Sequence, residues 1–134
     1  HAAVNLTDIT LEDAVHQEFG RDGVDCVVEA SGSLDLFKKA VKLTNPGGAI
    51  SVVAFYEKQM HDFEIDQFVF GDLRIRGVAG SLGMYEPLLK LLANGLVDFS
   101  SLITSYISLE QIPDNMKTWH ERGHVRIKEM IKFA

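Results

Sequence analysis

The chain has little cysteine, little proline and no long apolar run. Its single cysteine, Cys26, excludes a disulfide framework and a cysteine-rich metal site. No unit of about 20 to 50 residues repeats, which excludes solenoids and propellers. A membrane-spanning helix needs about 18 or more consecutive apolar residues, and neither such a run nor a basic, apolar leader is present. We therefore expect a soluble, cytoplasmic protein.

The charge balance is acidic, with a net charge of -6 over 134 residues. Proteins that bind nucleic acid need a clustered cationic surface to replace the counterions of the phosphates. We therefore expect no nucleic-acid partner and no membrane partner. The hydrophobic content of 46% is enough for one compact domain with a buried core.

Short apolar segments alternate with helical patterns along the first part of the chain. "AAVN", "VDCVVEA" and "AISVVAF" are too short for helices, and the valine-rich runs are typical of strands that are covered on both faces. Further along, "LRIRGVAG" predicts another strand, and "FEID" alternates apolar and acidic residues as an edge strand does. Alternating strands and helices predict an α/β fold with a doubly wound parallel sheet.

Capping signals place the helices between these strands. Thr10 with Asp13 resembles a capping pair at the start of a helix that ends at Gly20. Helices are also predicted for "LDLFKKAVKLT", for "QFVFGD" as a single short turn, and for "MYEPLLKLLANG". Ser108 with Gln111 resembles a capping box that opens "LEQIPDNMKTWHERG".

The stretch "HERGH", from His120 to His124, matches the H-E-x-x-H signature of zinc peptidases. That signature requires both histidines on one face of a continuous helix, so that one zinc ion contacts both. Gly123 occupies the position of a helix-ending glycine, and "HVRIKEMIKF" then alternates as a strand does. We therefore expect no metal site in this chain, with both histidines outside any zinc centre.

Three stretches, in this order, resemble the zinc-containing alcohol dehydrogenase family, the medium-chain dehydrogenases and reductases. They are "GVDCVVEASGS", "LTNPGGAISVVAF" and "DFSSLITSYISLEQI", and "IKEMIKF" is similar to the closing strand of the family. The resemblance spans essentially the whole chain. It is most specific at "LITSYISLEQI", which marks the crossing out of the nucleotide-binding domain.

This resemblance implies a partial Rossmann-type sheet of strand order 3-2-1-4-5-6. "AAVN" becomes its third strand, and the fourth, fifth and sixth follow in "DCVVEA", "ISVVAF" and "LRIRGV". The first two strands, with the glycine-rich turn, and the catalytic domain with its zinc are expected outside residues 1–134. Residues from about 102 to 134 would return toward that catalytic domain. On this reading the chain is a fragment of an enzyme and is not active alone.

Ligands of such a fold bind beyond the carboxyl ends of the parallel strands. By the resemblance, the end of "DCVVEA" borders the adenosine half of NAD or NADP, and the next two strand ends meet and line the nicotinamide. Small residues there let the backbone approach a flat ring closely. The candidate cofactor-binding residues are Ala30, Ser31, Val53, Ala54, Phe55, Val78, Ala79 and Gly80.

The resemblance also bears on Lys128 and Ala54, and the position of Cys26 in its apolar run bears on its role. Lys128 occupies the place of a basic residue that neutralises the cofactor pyrophosphate, and Arg126 is the alternative if the register shifts by two. Ala54 stands where the family usually has glycine. Cys26 is expected in mid-strand against a packed layer and is not a zinc ligand.

The implied activity of the intact enzyme is hydride transfer between an alcohol or polyol and NAD(P), with zinc acting as a Lewis acid. Alternatives are a zinc-free quinone reductase of the same superfamily, a fragment of an S-adenosylmethionine-dependent methyltransferase, because "NPGGAISVV" also fits that fold, and a noncatalytic assembly module. A homo-oligomer is expected through "FEID" across a two-fold axis or through the unpaired edge of the valine-rich strand.

Overall fold

The structure is a computed structural model, and it describes residues 1–80, 83–118 and 126–133. The chain divides into two compact units, His1–Gly80 and Ser81–Ala134. Each unit contains a parallel sheet, of three strands in the first and two strands in the second. The predicted α/β fold with parallel strands is therefore confirmed.

The first unit alternates helices and strands. Its three strands lie side by side in the order β1-β2-β3, and both pairings are parallel. This confirms the prediction that "DCVVEA", "ISVVAF" and "LRIRGV" lie side by side in one parallel sheet. The elements are α1 (Leu11–Phe19), β1 (Val24–Glu29), α2 (Leu34–Leu43), β2 (Thr44–Val52), α3 (Asp66–Phe70) and β3 (Arg74–Gly77).

The helix ends of this unit follow the capping signals. The backbone N–H of Asp13 donates to Thr10 Oγ1 over 3.1 Å, and the Thr10 hydroxyl donates back to the Asp13 carboxylate over 2.6 Å. Gly20 ends α1 with a φ of 64°, a left-handed conformation that glycine adopts without a steric penalty. The side chain of Ser33 caps α2 by accepting from the N–H of Leu36.

The core lies between α2 and one face of the sheet. Phe37 and Val41 of α2 pack with Ile50 of β2, whose side chain is 1% exposed. Val27 and Ile75 are the register neighbours of Ile50 on the adjacent strands, and both pack against this cluster. Burying a side chain such as Ile50 stabilises the fold by about 1.5 to 3 kcal/mol.

The opposite face of the sheet is open in the described part of the chain, so the prediction that the valine-rich strands are covered on both faces is wrong. Val28 is 71% exposed, and its register neighbours on that face are Ser51 and Arg76. Cys26 lies on the same face and is exposed, not packed against a layer as predicted. A continuous apolar run permits burial on both faces but does not supply the second covering element.

Two predicted strands do not form. "AAVN" lies in residues without regular structure, and "FEID" runs from irregular backbone into the start of α3. A four-residue segment has few ladder hydrogen bonds, so its pairing depends on a neighbouring strand more than on its own pattern. The predicted dimer contact through an edge strand at "FEID" therefore loses its structural basis.

The second unit, taken by itself, contains α4 (Tyr85–Ala93), β4 (Ile103–Ile107), α5 (Ile112–Thr118) and β5 (Lys128–Ile131). Strands β4 and β5 pair in parallel. The capping box of Ser108 and Gln111 is present, with the Ser108 N–H donating to Gln111 Oε1 over 2.8 Å. "HERGH" and the predicted helix end at Gly123 lie outside the described residues.

None of the described helices is both long enough and apolar enough to cross a membrane. Within residues 1–80, 83–118 and 126–133, no three His, Cys, Asp or Glu side chains are grouped as they would be around a metal ion.

Candidate functional site

The carboxyl ends of the three strands in the first unit lie along one edge of the sheet. The N–H of Val53 donates to the carbonyl oxygen of Glu29 over 2.9 Å, and the N–H of Val78 donates to that of Val52 over 2.8 Å. These bonds continue the register that aligns Glu29 with Val52 and Gly77. The predicted residues that follow each strand are therefore brought to the same edge, which we call the carboxyl edge.

The carboxyl edge presents an apolar and accessible surface. Phe55 is 84% exposed, Val53 and Val78 are each 41% exposed, and Ala54 is half-buried. Exposed apolar side chains beside small residues at the ends of parallel strands are chemically suited to contact a flat ring. Contact of this edge with a nicotinamide group, which the family resemblance implies, stays a prediction.

A close approach joins the turn after β1 to the segment after β2. Gly32 has a φ of 69°, and a Cβ atom at this position would lie 2.9 Å from the carbonyl oxygen of Phe55 and 3.9 Å from Cβ of Ala54. Both the left-handed backbone and the short distance favour glycine. The two segments of the carboxyl edge are therefore in direct contact.

A nearly buried carboxylate lies beneath this contact. Glu29, the last residue of β1, is 5% exposed. Its Oε1 accepts hydrogen bonds from the Ser31 N–H over 2.8 Å and from the Ser31 hydroxyl, and its Oε2 accepts from the Tyr56 hydroxyl. The Tyr56 ring also packs edge-on against Phe37, with ring centroids 6.0 Å apart.

The surroundings of Glu29 favour its charged form. Burial opposes ionisation, but hydrogen bonds from the Ser31 hydroxyl, from Tyr56 and from the backbone N–H groups of Ser31 and Gly32 together outweigh it. The pKa of Glu29 is therefore below its ordinary value. Burial and the hydrogen bond to Glu29 raise the pKa of Tyr56, so its hydroxyl stays a donor.

Sequence reasoning did not single out Glu29 or Tyr56. The available signal was a carboxylate at the end of an apolar strand, because a charged residue in such a place needs hydrogen-bond partners. Its partner Tyr56 lies in the segment after β2, 27 residues away along the chain. No local spacing rule connects the two positions.

The predicted basic residue lies in the second unit. Lys128 begins β5 with an exposed side chain, and its carbonyl oxygen accepts from the Thr104 hydroxyl over 3.2 Å. The alternative, Arg126, is half-buried and donates from Nη2 to Thr118 Oγ1 over 3.3 Å. The exposed ammonium of Lys128 is the better placed of the two for an anion in solution, and its role with a pyrophosphate stays a prediction.

Comparison with known proteins identifies the class. Residues 1–94 match the family model described as zinc-binding dehydrogenase, so the chain belongs to this family. It is 31% identical over 111 residues to L-threonine 3-dehydrogenase of Vibrio cholerae, covering 81% of this chain and 32% of that protein. It is 26% identical over 132 residues to sorbitol dehydrogenase of Bacillus subtilis, covering 96% of this chain and 37% of that protein.

Solved structures share the fold. Alcohol dehydrogenase TADH from Thermus sp. ATN1 superposes with a TM-score of 0.82 at 23% identity, over 98% of this chain and 38% of that one. A protein assigned as a zinc-binding dehydrogenase from Sinorhizobium meliloti 1021, solved bound to NADP, gives a TM-score of 0.81 at 21% identity, over 96% and 38%. The chain spans about a third of the length of the curated relatives it matches.

Proposed function

We propose that residues 1–134 supply part of the NAD(P) site of a zinc-dependent alcohol or polyol dehydrogenase and are not active alone. The observation that carries this proposal is the carboxyl edge, where the segments after β1, β2 and β3 lie side by side and expose Val53, Phe55 and Val78. The family match supports the class of reaction. The relatives named for threonine, sorbitol and alcohol support a small hydroxylated substrate.

In this function the strand ends line the cofactor-binding site and do not take part in the hydride transfer. A bound dinucleotide would supply the nicotinamide for hydride exchange with an alcohol carbon, and zinc in the catalytic domain would supply a Lewis acid for the substrate oxygen. Val53 and Val78 contact a face of the ring and exclude water from it. Ala30 and Ser31 border the adenosine half.

Calorimetric titration of the chain with NAD, NADP and S-adenosylmethionine tests the proposal. Binding of either dinucleotide supports it, and the preferred one identifies the cofactor. Binding of S-adenosylmethionine alone would overturn it in favour of a methyltransferase fold. Val53→Asp, which adds a charge where the ring should lie, should abolish dinucleotide binding. Val69→Asp is the matched control, since Val69 is 75% exposed on α3.

The cytoplasmic location and the homo-oligomer belong to the same proposal. Strand β1 lies at the edge of the sheet and carries Val24, Val27 and Val28. Such an edge offers unpaired backbone groups to another chain. Light scattering across a range of concentrations should therefore detect dimers or larger assemblies, and a monomer that persists at high concentration would contradict this part of the proposal.

A further inference from the structure

Glu29 is the one carboxylate that is buried among residues 1–80, 83–118 and 126–133. A buried carboxylate costs free energy unless hydrogen-bond donors surround it. Here the donors come from two different places in the chain. Ser31 lies in the turn that leads from β1 into α2, and Tyr56 lies in the segment that follows β2.

Glu29 accepts hydrogen bonds from both ends of the segment after β2. Its main-chain carbonyl oxygen accepts the N–H of Val53, and its side chain accepts the hydroxyl of Tyr56. Between these two attachments lie Ala54 and Phe55. On the other side, Ser31 and the close approach of Gly32 to Phe55 fix the turn after β1 against that segment.

We propose that Glu29 is a positioning residue that holds the segment from Val53 to Phe55 in its dinucleotide-binding conformation through the Tyr56 hydroxyl. The inference rests on the proposed function, because it assigns to this segment the contact with the nicotinamide. A segment that is ordered before the ligand arrives pays less conformational entropy on binding. Hydrogen bonds to a charged group are stronger than neutral ones, so the Tyr56 attachment is well suited to this task.

The variant Tyr56→Phe tests the proposal directly. It removes the hydroxyl and keeps the ring that packs against Phe37. Tyr106→Phe is the matched control, because Tyr106 is 65% exposed on β4 of the second unit. Amide hydrogen exchange, followed by NMR, reports local order, and calorimetric titration with NAD and NADP reports affinity.

We expect Tyr56→Phe to speed amide exchange from Val53 to Phe55 while exchange at Ile50 in the core is unchanged. Dinucleotide affinity should fall about tenfold, in line with the loss of one charge-assisted hydrogen bond. The pKa of Glu29, followed through its carboxyl carbon shift, should rise, because one donor to the charged form is gone. Within the described residues, Tyr56 is the titratable side chain in hydrogen-bond contact with Glu29.

The possible outcomes separate this inference from the proposed function. Faster local exchange with unchanged dinucleotide affinity would overturn the positioning role, as would exchange that rises equally across the whole sheet. If the unmodified chain binds neither dinucleotide, the proposed function fails. In that case a local rise in exchange would still establish that Glu29 orders the segment, and no local rise would overturn both.

Discussion

The two faces of the three-stranded sheet differ in what covers them. On the closed face, Ile50 is 1% exposed and packs against Phe37 and Val41 of α2. On the open face, Val28 is 71% exposed although it belongs to the same apolar run. The closed face therefore holds the buried cluster of Phe37, Val41 and Ile50, whereas the open face leaves Val28 in contact with water.

The largest difference between the faces should appear on truncation of one side chain from each. Ile50→Ala removes buried methyl groups and leaves a cavity, which typically lowers the free energy of unfolding by about 2 to 5 kcal/mol. Val28→Ala removes methyl groups that already contact water, so its effect should be within about 0.5 kcal/mol. Urea denaturation of both variants measures the contrast. Equal losses would show that the open face is covered in solution.

Sequence patterns predicted part of this arrangement and could not predict the rest. The parallel pairing follows from the alternation of strands and helices, and the caps at Thr10 and Ser108 follow from local residue types, whereas the order of the strands came from the family resemblance. Coverage of the second face does not, because an apolar run has the same pattern whether or not another element packs on it. The strand ends at Val53 and Val78 were predicted from fold geometry, whereas the buried Glu29 depends on a partner far along the chain.

Gly32, in the turn after β1, tests how tightly the carboxyl edge of the sheet is packed. Gly32→Ala combines a left-handed φ of 69° with a Cβ that would lie 2.9 Å from the Phe55 carbonyl oxygen. We expect a loss of about 2 to 3 kcal/mol in the free energy of unfolding. Gly20→Ala is the matched control, because Gly20 has a φ of 64° with no atom within 4 Å of the added Cβ. It should lose only about 1 kcal/mol.

Thermal or denaturant unfolding of Gly32→Ala and Gly20→Ala measures how much unfolding free energy each variant loses. The difference between the two losses is the cost of the steric clash at Gly32. If both variants lose the same free energy, the contact between the turn after β1 and the segment after β2 is not rigid. The carboxyl edge would then resemble the open face in its tolerance of change.

The buried Glu29 should make the free energy of unfolding depend on pH. The pKa of Glu29 is lower in the folded chain than its ordinary value of 4.5. Its contribution is therefore fully present above that value and is lost as the pH falls through the folded pKa. Glu29→Gln should lower the free energy of unfolding by about 1 to 2 kcal/mol at neutral pH, because an amide cannot replace the carboxylate as the acceptor of all its donors.

Denaturant midpoints measured from neutral pH to below 4.5 test this expectation. The gap between the unmodified chain and Glu29→Gln should narrow as the pH falls. Glu18→Gln, at an exposed glutamate of α1, is the matched control for the loss of one negative charge. A gap that stays constant with pH would show that the effect comes from packing and not from the ionised carboxylate.

The smallest effect on stability is expected for a substitution on the open face. There we expect a change in self-association of the chain instead. Val28→Lys introduces a charge at a position that already contacts water. The free energy of unfolding should therefore change by about 0.5 kcal/mol or less. A lysine on an exposed strand at the edge of a sheet disfavours pairing with another chain, because burying its charge is costly. Light scattering should therefore show weaker self-association than for the unmodified chain. If Val28→Lys unfolds the chain while Val28→Ala does not, the open face is covered within a single molecule, and the distinction between the two faces fails.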